Sequence, residues 1–361
     1  MMRKRIVLTG GGSAGHVVVN LALLPRLQEE GWEVHYIGSE NGIEKSLLAD
    51  YPDVRYHAIP TGKFRRHLSA ENVAANVLDV GHVFSGVQEA RHLLKSIAPH
   101  IVFSKGGFVS VPVVLAAAMR HIPVISHESD LTPGLANKMT APFVKRILLT
   151  FESTASQVPA KKAFYLGPVI RPQIQGGSVR EGRIRFGMQS NKPILLVLGG
   201  SLGAEALNKL VWENLDSLLE RFEILHGVGA NKGDSAIQRP GYHQVDYIKA
   251  GMNDALAMAD IVVSRAGSNA IFEYLYYHKP MLLIPYWKGS RGDQVENARE
   301  FERAGYAKVL DEREASAEEF LSAVNTLMNQ RDVMQRRQRS FVFSDGVETI
   351  LSLLEAHRLL S

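Results

Sequence analysis

One pattern occurs twice in this chain and restricts it more than anything else: a short β-branched run, a glycine turn, then a helical stretch. The first copy is Arg5-Ile-Val-Leu-Thr9, then Gly10-Gly11-Gly12-Ser13-Ala14-Gly15, then a predicted helix from His16 to Glu30. Pro25 inside that helix predicts a kink or an early stop, because proline removes an N–H donor and crowds the preceding turn. The second copy starts about 190 residues later, with Pro193-Ile-Leu-Leu-Val-Leu198, Gly199-Gly200-Ser201-Leu202-Gly203 and a predicted helix over 204–221. Glu33 to Ile37, Ile101 to Ser104, Val124 to Ser126, Asp260 to Ser264 and Met281 to Pro285 read as further strands, most of them running into polar, glycine-bearing loops. Strands alternating with helices imply parallel sheets covered on both faces.

The expected architecture is therefore α/β, with two doubly wound, Rossmann-like parallel-sheet domains facing across a cleft. The first would span 1–167 and the second 168–342. Leu166 to Asn191, with its Gly-Pro, Arg-Pro and Gly-Gly pairs, reads as the linker. A last helix near 347–360, within the tail 343–361, is expected to pack back on the first domain. A length of 361 residues suits two domains.

Composition removes several function classes. The chain has no cysteine, which excludes disulfide scaffolds, cysteine zinc sites and thiol nucleophiles. Neither an Asp-x-Asp pair nor a P-loop lysine motif occurs, so no protein-held metal and no cofactor is expected. The longest apolar run, Val111 to Met119, is far short of the roughly 20 residues of a membrane span. The apolar run after the basic N-terminus is too short for a signal-peptide core. The positive charge is uneven: residues 1–167 hold 18 Lys/Arg against 13 Asp/Glu, while the remainder is nearly balanced. The first half is thus the better home for an anionic partner, against the reading of a plain solvated surface. No basic patch interleaved with aromatics appears, which argues against nucleic acid.

Ligands of open parallel sheets sit beyond the carboxyl ends of the strands. His16, Asp130, Ser201, Arg265, Glu273 and Gln294 all fall on such loops or just past them. Gly10-x-Gly12-x-x-Gly15 fits the dinucleotide fingerprint, but the second strand ends in Gly38-Ser39, with Glu40 just beyond. The broader reading is backbone N–H groups approaching an anion at a helix start, against a plain tight turn. His16 at that start could take a proton from a hydroxyl, or be structural. Glu128 and Asp130 could cap their loop or orient a sugar hydroxyl. Ser201 at a helix start suits a diphosphate. Arg265 could neutralise phosphate and Glu273 accept two ribose hydroxyls, or each could form an ion pair or cap. Gly62-Lys63-Phe64-Arg65-Arg66 precedes a weakly amphipathic helix carrying Val73, Val77, Val80, Phe84 and Val87. That helix could face a core or an anionic membrane surface.

Taken together, Gly11-Gly-Ser-Ala-Gly-His16, Tyr36 to Glu44, Ser104-Lys-Gly-Gly-Phe-Val-Ser-Val-Pro112, His127-Glu-Ser-Asp-Leu-Thr-Pro-Gly134, Gly199 to Gly203 and Arg265 to Glu273 resemble the bacterial lipid II synthases. These are the UDP-N-acetylglucosamine:N-acetylmuramyl-(pentapeptide) pyrophosphoryl-undecaprenol N-acetylglucosaminyltransferases. The resemblance covers nearly the whole chain, with the motifs in family order. It implies a GT-B architecture and inverting transfer of N-acetylglucosamine from UDP to the 4-hydroxyl of undecaprenyl-linked lipid I. The acceptor would lie on the first domain and the UDP-sugar on the second. It implies His16 as the base or acceptor-orienting group, with Ser13, Ala14 and Gly15 near sugar and diphosphate. Arg171 and Ser201 would meet phosphate, and Glu273 the ribose. Residues 268–272, including Ser268, Asn269 and Ala270, would meet uridine or phosphate, and Asp293 and Gln294 the sugar. Lys63, Arg65, Arg66 and Phe84 would dock peripherally on the cytoplasmic face of the plasma membrane. The chain departs from the usual family pattern in Ser13-Ala14, and in Asp130 where many members have asparagine. A UDP-sugar epimerase, a nicotinamide dehydrogenase and a non-catalytic sugar-nucleotide module are the competing readings.

Overall fold

The computed structural model describes residues 4–61, 70–200, 203–287 and 292–359, with residues 70–82 as backbone alone. The chain separates into two compact units, residues 1–171 with 344–361, and residues 172–343.

The first unit is built on strands β1 (Arg5–Thr9), β2 (Glu33–Ser39), β3 (Arg55–Ile59), β4 (Ile101–Ser104), β5 (Val124–Glu128), β6 (Arg146–Leu149) and β7 (Ala163–Tyr165). They form one sheet in the order β3-β2-β1-β4-β5-β6-β7, and every pairing is parallel. Its helices include α1 (Gly15–Glu29), α2 (Ile43–Leu47), α3 (Ala70–Ile97), α4 (Ser110–Met119) and α5 (Leu135–Thr140). Side chains alternate across a strand. Ile6 and Leu8 therefore join the core cluster under α1, while Val7 joins the cluster under α3 and α4. Burial on both faces explains why β1 is apolar throughout.

Pro25 does not end α1, which runs on to Glu29. Leu23, Leu24 and Leu27 on either side of it are fully buried. Their burial, worth about 1.5–3 kcal/mol each, outweighs one missing hydrogen bond of about 1 kcal/mol.

The second unit opens with α6 (Val179–Phe186), inside the stretch expected to be linker. This helix is capped by Ser178 and held by Asp254, whose Oδ1 accepts from the Ser178 N–H at 3.0 Å. The chain passes from one unit to the other at Arg171–Pro172, near the start of that stretch. The second sheet holds β8 (Ile194–Leu198), β9 (Glu223–Gly227), β10 (Tyr242–Val245), β11 (Ile261–Ser264), β12 (Met281–Leu283) and β13 (Ala307–Val309). Its order is β10-β9-β8-β11-β12-β13, again parallel throughout. The helix expected over 204–221 is two helices, α7 (Glu205–Glu213) and α8 (Leu215–Arg221). They part at Asn214, whose side chain turns back to the Leu210 carbonyl at 2.9 Å. Side-chain amides compete with the backbone in this way. The remaining helices of the unit are α9 (Met252–Met258), α10 (Ser268–Tyr276), α11 (Asp293–Arg303), α12 (Ala317–Asn329) and α13 (Arg331–Gln338).

The last helix, α14 (Gly346–Arg358), returns to the first unit. Val347, Ile350, Leu351 and Leu354 enter the α1 core cluster. Arg26 of α1 reaches Glu348 at 2.6 Å, and the Ser344 hydroxyl donates to the Leu166 carbonyl at 2.9 Å.

Candidate active site

In the first unit the turn after β1 is tied down from three sides. Asn20, one turn into α1, donates to the Thr9 carbonyl at 3.2 Å and to the Tyr36 hydroxyl at 3.1 Å. Tyr36 donates in turn to the Gly10 carbonyl at 2.6 Å. Glu44 of α2, fully buried, accepts from the Ser39 N–H at 2.9 Å, the Ser39 hydroxyl at 2.5 Å and the Gly12 N–H at 3.3 Å. A Cβ on Gly11 would collide with that carboxylate, which is why this position has no side chain.

His16 lies in the first turn of α1, half-buried, behind exposed Ser13 and half-buried Ala14 and Gly15. Its Nδ1 is 3.0 Å from the Gly11 carbonyl and 3.0 Å from the Ser13 hydroxyl. A carbonyl only accepts, so the hydrogen-bonding pattern assigns the ring proton to Nδ1 and the basic lone pair to Nε2. The start of α1 carries no side-chain cap and no acid in its first turn. The positive end of a helix favours a negative charge beside it over a second positive one. The loop after β4 presses on this arrangement from beside it. A Cβ on Gly107, at φ +79°, would run into the Gly11 carbonyl and come within 3.1 Å of His16 Nδ1.

Asp130, half-buried, lies on the loop after β5. Its backbone N–H donates to Glu128 at 3.0 Å, so the first of the two carboxylates caps the loop that displays the second. Arg171 ends the first segment of the first unit, within electrostatic reach of Tyr51.

In the second unit the start of α10 lies between the strand ends of β11 and β12. Its N-cap is Gly267, with no side-chain cap and no acid in the first turn. A Cβ on Gly267 would meet nothing within 4 Å. Ser268 is buried there, with Asn269 and Ala270 half-buried. Such a helix start suits an anion. Gln294, the second residue of α11 after Asp293, accepts from the Tyr286 N–H at 3.0 Å and the Ala266 N–H at 3.4 Å. Asn297 donates to the Ala266 carbonyl at 3.3 Å. Glu273 is buried in the second turn of α10.

Arg265 is buried as well. It donates to the Ile284 carbonyl at 2.9 Å, forms an ion pair with Glu312 and covers the Tyr286 ring at 5.5 Å. These contacts make it a brace for the strand-end loops. Gly199, Gly200 and Gly203 form the other turn of this unit, with the Gly203 N–H donating to the Gly200 carbonyl at 3.0 Å. Ser201, Lys63, Arg65 and Arg66 lie outside the described residues. Phe84 is 67% exposed on α3.

Sequence reasoning overlooked the residues that hold these loops: Asn20, Glu44, Asn297 and Glu312. One signal was present. An asparagine stands five positions after the final glycine of both turns, Asn20 after Gly15 and Asn208 after Gly203. Among the described residues no cluster of three or more His, Asp or Glu side chains is placed to hold a metal ion, and no helix is long and apolar enough to cross a membrane.

Two parallel α/β units, each with glycine turns at its strand ends, are the plan of a glycosyltransferase with two nucleotide-type domains. Residues 6–149 match the glycosyltransferase family 28 N-terminal domain, and residues 194–350 match the family 28 C-terminal domain. A UDP-N-acetylglucosamine--N-acetylmuramyl-(pentapeptide) pyrophosphoryl-undecaprenol N-acetylglucosamine transferase of Geobacillus thermodenitrificans is 47% identical, over 98% of this chain and 99% of that protein. The protein of the same name from Staphylococcus aureus (strain MRSA252) is 45% identical, over 93% of this chain and 94% of its own length. The crystal structure of Acinetobacter baumannii MurG superposes with a TM-score of 0.76 at 24% identity, covering 98% of this chain and 99% of that one. The calicheamicin glycosyltransferase CalG4 superposes at 0.72 with 15% identity, over 99% and 98% of the two chains, and supports the fold alone. The chain belongs to glycosyltransferase family 28, among its UDP-N-acetylglucosamine--N-acetylmuramyl-(pentapeptide) pyrophosphoryl-undecaprenol N-acetylglucosamine transferases.

Proposed function

We propose that the chain moves N-acetylglucosamine from UDP-N-acetylglucosamine to the 4-hydroxyl of the N-acetylmuramoyl group of undecaprenyl-linked lipid I, giving lipid II with inversion at the anomeric carbon. The first unit takes the acceptor and the second the UDP-sugar. His16 Nε2 removes the hydroxyl proton as the oxygen bonds to the anomeric carbon. The bond from that carbon to the diphosphate oxygen breaks, and UDP leaves with the electron pair. Base catalysis of this kind is worth about 10²–10⁴ in rate. The unacidic, uncapped start of α10 stabilises the charge growing on the diphosphate. Glu273 accepts from the ribose hydroxyls, and Asp293 and Gln294 serve the sugar. The observation that carries the base assignment is the Gly11 carbonyl at 3.0 Å from His16 Nδ1, which puts the lone pair on Nε2.

Radiolabelled UDP-N-acetylglucosamine, incubated with a lipid I analogue, tests the reading. Label should move into the lipid product. An epimerised sugar nucleotide formed without lipid would favour the epimerase. UDP binding with no product would favour a binding module.

The chain is further proposed to work at the cytoplasmic face of the plasma membrane, through Phe84 and the cations Lys63, Arg65 and Arg66. Exposed Phe84 on α3 supports this. Neutralising the three cations should weaken binding to anionic vesicles and reduce its salt dependence. Unchanged, salt-independent binding would contradict it.

A further inference from the structure

Lys105 belongs to the loop motif after β4 and takes no part in the proposed transfer. Its side chain is 1% exposed. It follows β4 directly, and its N–H donates to the Thr9 carbonyl of β1 at 2.9 Å. Its ammonium reaches the other way, past the end of β5, and donates to the Ser129 hydroxyl at 2.7 Å. On either side of Ser129 stand the carboxylates of Glu128 and Asp130. Glu128 is buried and accepts from the Asp130 N–H at 3.0 Å, the Gly134 N–H at 2.7 Å and the Asn137 amide at 2.9 Å.

The charges are interdependent. Burial pulls the Lys105 ammonium below its ordinary range, and Glu128 and Asp130 oppose that shift. Burial pushes the Glu128 carboxyl up, Asp130 adds to the push and Lys105 opposes it. A methionine would fill the same volume without a desolvation cost, and buried ion clusters rarely stabilise a fold better than such a replacement. An ammonium here makes sense if the loop after β5 must carry negative charge. That loop emerges from the same strand ends as the His16 turn, and Gly107, two residues after Lys105, packs against the Gly11 carbonyl and His16 Nδ1.

We infer that Lys105 is a positioning residue for the acceptor: by holding Ser129 and balancing the carboxylate pair, it sets Asp130 as a hydrogen-bond acceptor for a hydroxyl- or amide-bearing substrate beside His16. The inference rests on the proposal that the first unit binds the acceptor, and it adds the groups that fix that side of the site.

Steady-state transfer by the full chain, with UDP-N-acetylglucosamine and a lipid I analogue in detergent, tests it. Lys105→Met should raise the acceptor KM by about tenfold, leave the donor KM within about twofold and lower kcat less than about fivefold. Asp130→Asn should cost less in the Lys105→Met background than alone, because the two side chains act as a unit. An unchanged acceptor KM in folded Lys105→Met, or losses that simply multiply, overturns the inference. Should that variant not fold, Ser129→Ala removes only the hydroxyl. It should raise the acceptor KM by about threefold, and no change overturns the inference equally. The unsubstituted chain runs in the same assay. If it makes no product, the transferase reading falls and takes the inference with it. If it is active and the variants match it, the inference falls alone.

Discussion

The two glycine turns, one in each unit, solve the same mechanical problem, and a histidine stands close to each. After β1, Asn20 ties the start of α1 to the Thr9 carbonyl. After β8, Asn208 ties the start of α7 to the Val228 carbonyl at 2.9 Å. In the first unit the imidazole stands at the helix start, with Nδ1 on the Gly11 carbonyl. In the second unit His226 lies beneath the turn, fully buried. It meets Asn208 Oδ1 through Nε2 at 3.1 Å and the Tyr242 hydroxyl through Nδ1 at 3.0 Å, and Trp212 donates to that hydroxyl at 2.8 Å. Since the Asn208 amide nitrogen is spent on Val228, its oxygen accepts and His226 carries its proton on Nε2. Burial holds His226 down to about 3. In the proposed function the first histidine is a reagent; the second is scaffolding, with both ring nitrogens spent within the fold.

The sharpest break in this comparison is His16→Ala. It should lower kcat by about 10²–10⁴ while UDP affinity, read by calorimetry, stays within about twofold. Near-normal turnover would remove His16 from the base role.

Second is the anchor of the first turn. Glu44→Ala strips a buried acceptor from the Gly12 and Ser39 N–H groups and should cost about 2–4 kcal/mol in denaturant unfolding. A loss under 1 kcal/mol would mean the turn holds itself.

Third is the anchor of the second turn. His226→Phe leaves the Asn208 oxygen and the Tyr242 hydroxyl without their partner and should cost about 2–3 kcal/mol at pH 7. The sign with pH follows from the lowered pKa. Between about pH 3 and pH 6.5 the unfolded chain binds a proton that folded His226 refuses. The stabilisation from neutral His226 is complete above pH 6.5 and is lost as pH falls through that window. By pH 5 the advantage of the unsubstituted chain over His226→Phe should have shrunk by about 2 kcal/mol. An advantage constant from pH 7 to 5 would contradict the buried neutral ring.

Smallest is Ser13→Ala. Loss of one neutral contact to His16 Nδ1, about 0.5–1 kcal/mol, should reduce kcat by about two- to fivefold.

Much of the frame was legible from local pattern. Ile6-Val7-Leu8 and Ile101-Val102-Phe103 announce strands buried on both faces, and the glycine turns mark their carboxyl ends. What escaped was non-local or weakly patterned. The edge strand β3, with Arg55 and His57, lacks an apolar run and forms by pairing with β2 in register His35 to Arg55. The polar α13 carries three arginines, and its buried Gln338 donates to the Lys279 and Tyr306 carbonyls, each at 2.8 Å. The site residues divide in the same way. His16, Asp130 and Gln294 follow strands and turns and could be named from position. Arg265 could be named from position too, but its partner Glu312, 47 residues away, could not. Glu44 and Lys105 gain meaning only when folding sets them against Gly12 and Ser129.

The proton positions on the two histidines test the comparison most directly. Long-range proton–nitrogen NMR spectra of nitrogen-15-labelled protein at neutral pH, assigned with His16→Gln and His226→Phe, report them ring by ring. His16 should appear neutral with its proton on Nδ1, and His226 neutral with its proton on Nε2. A proton on Nε2 of His16 would leave it no lone pair to offer a hydroxyl and would contradict the account.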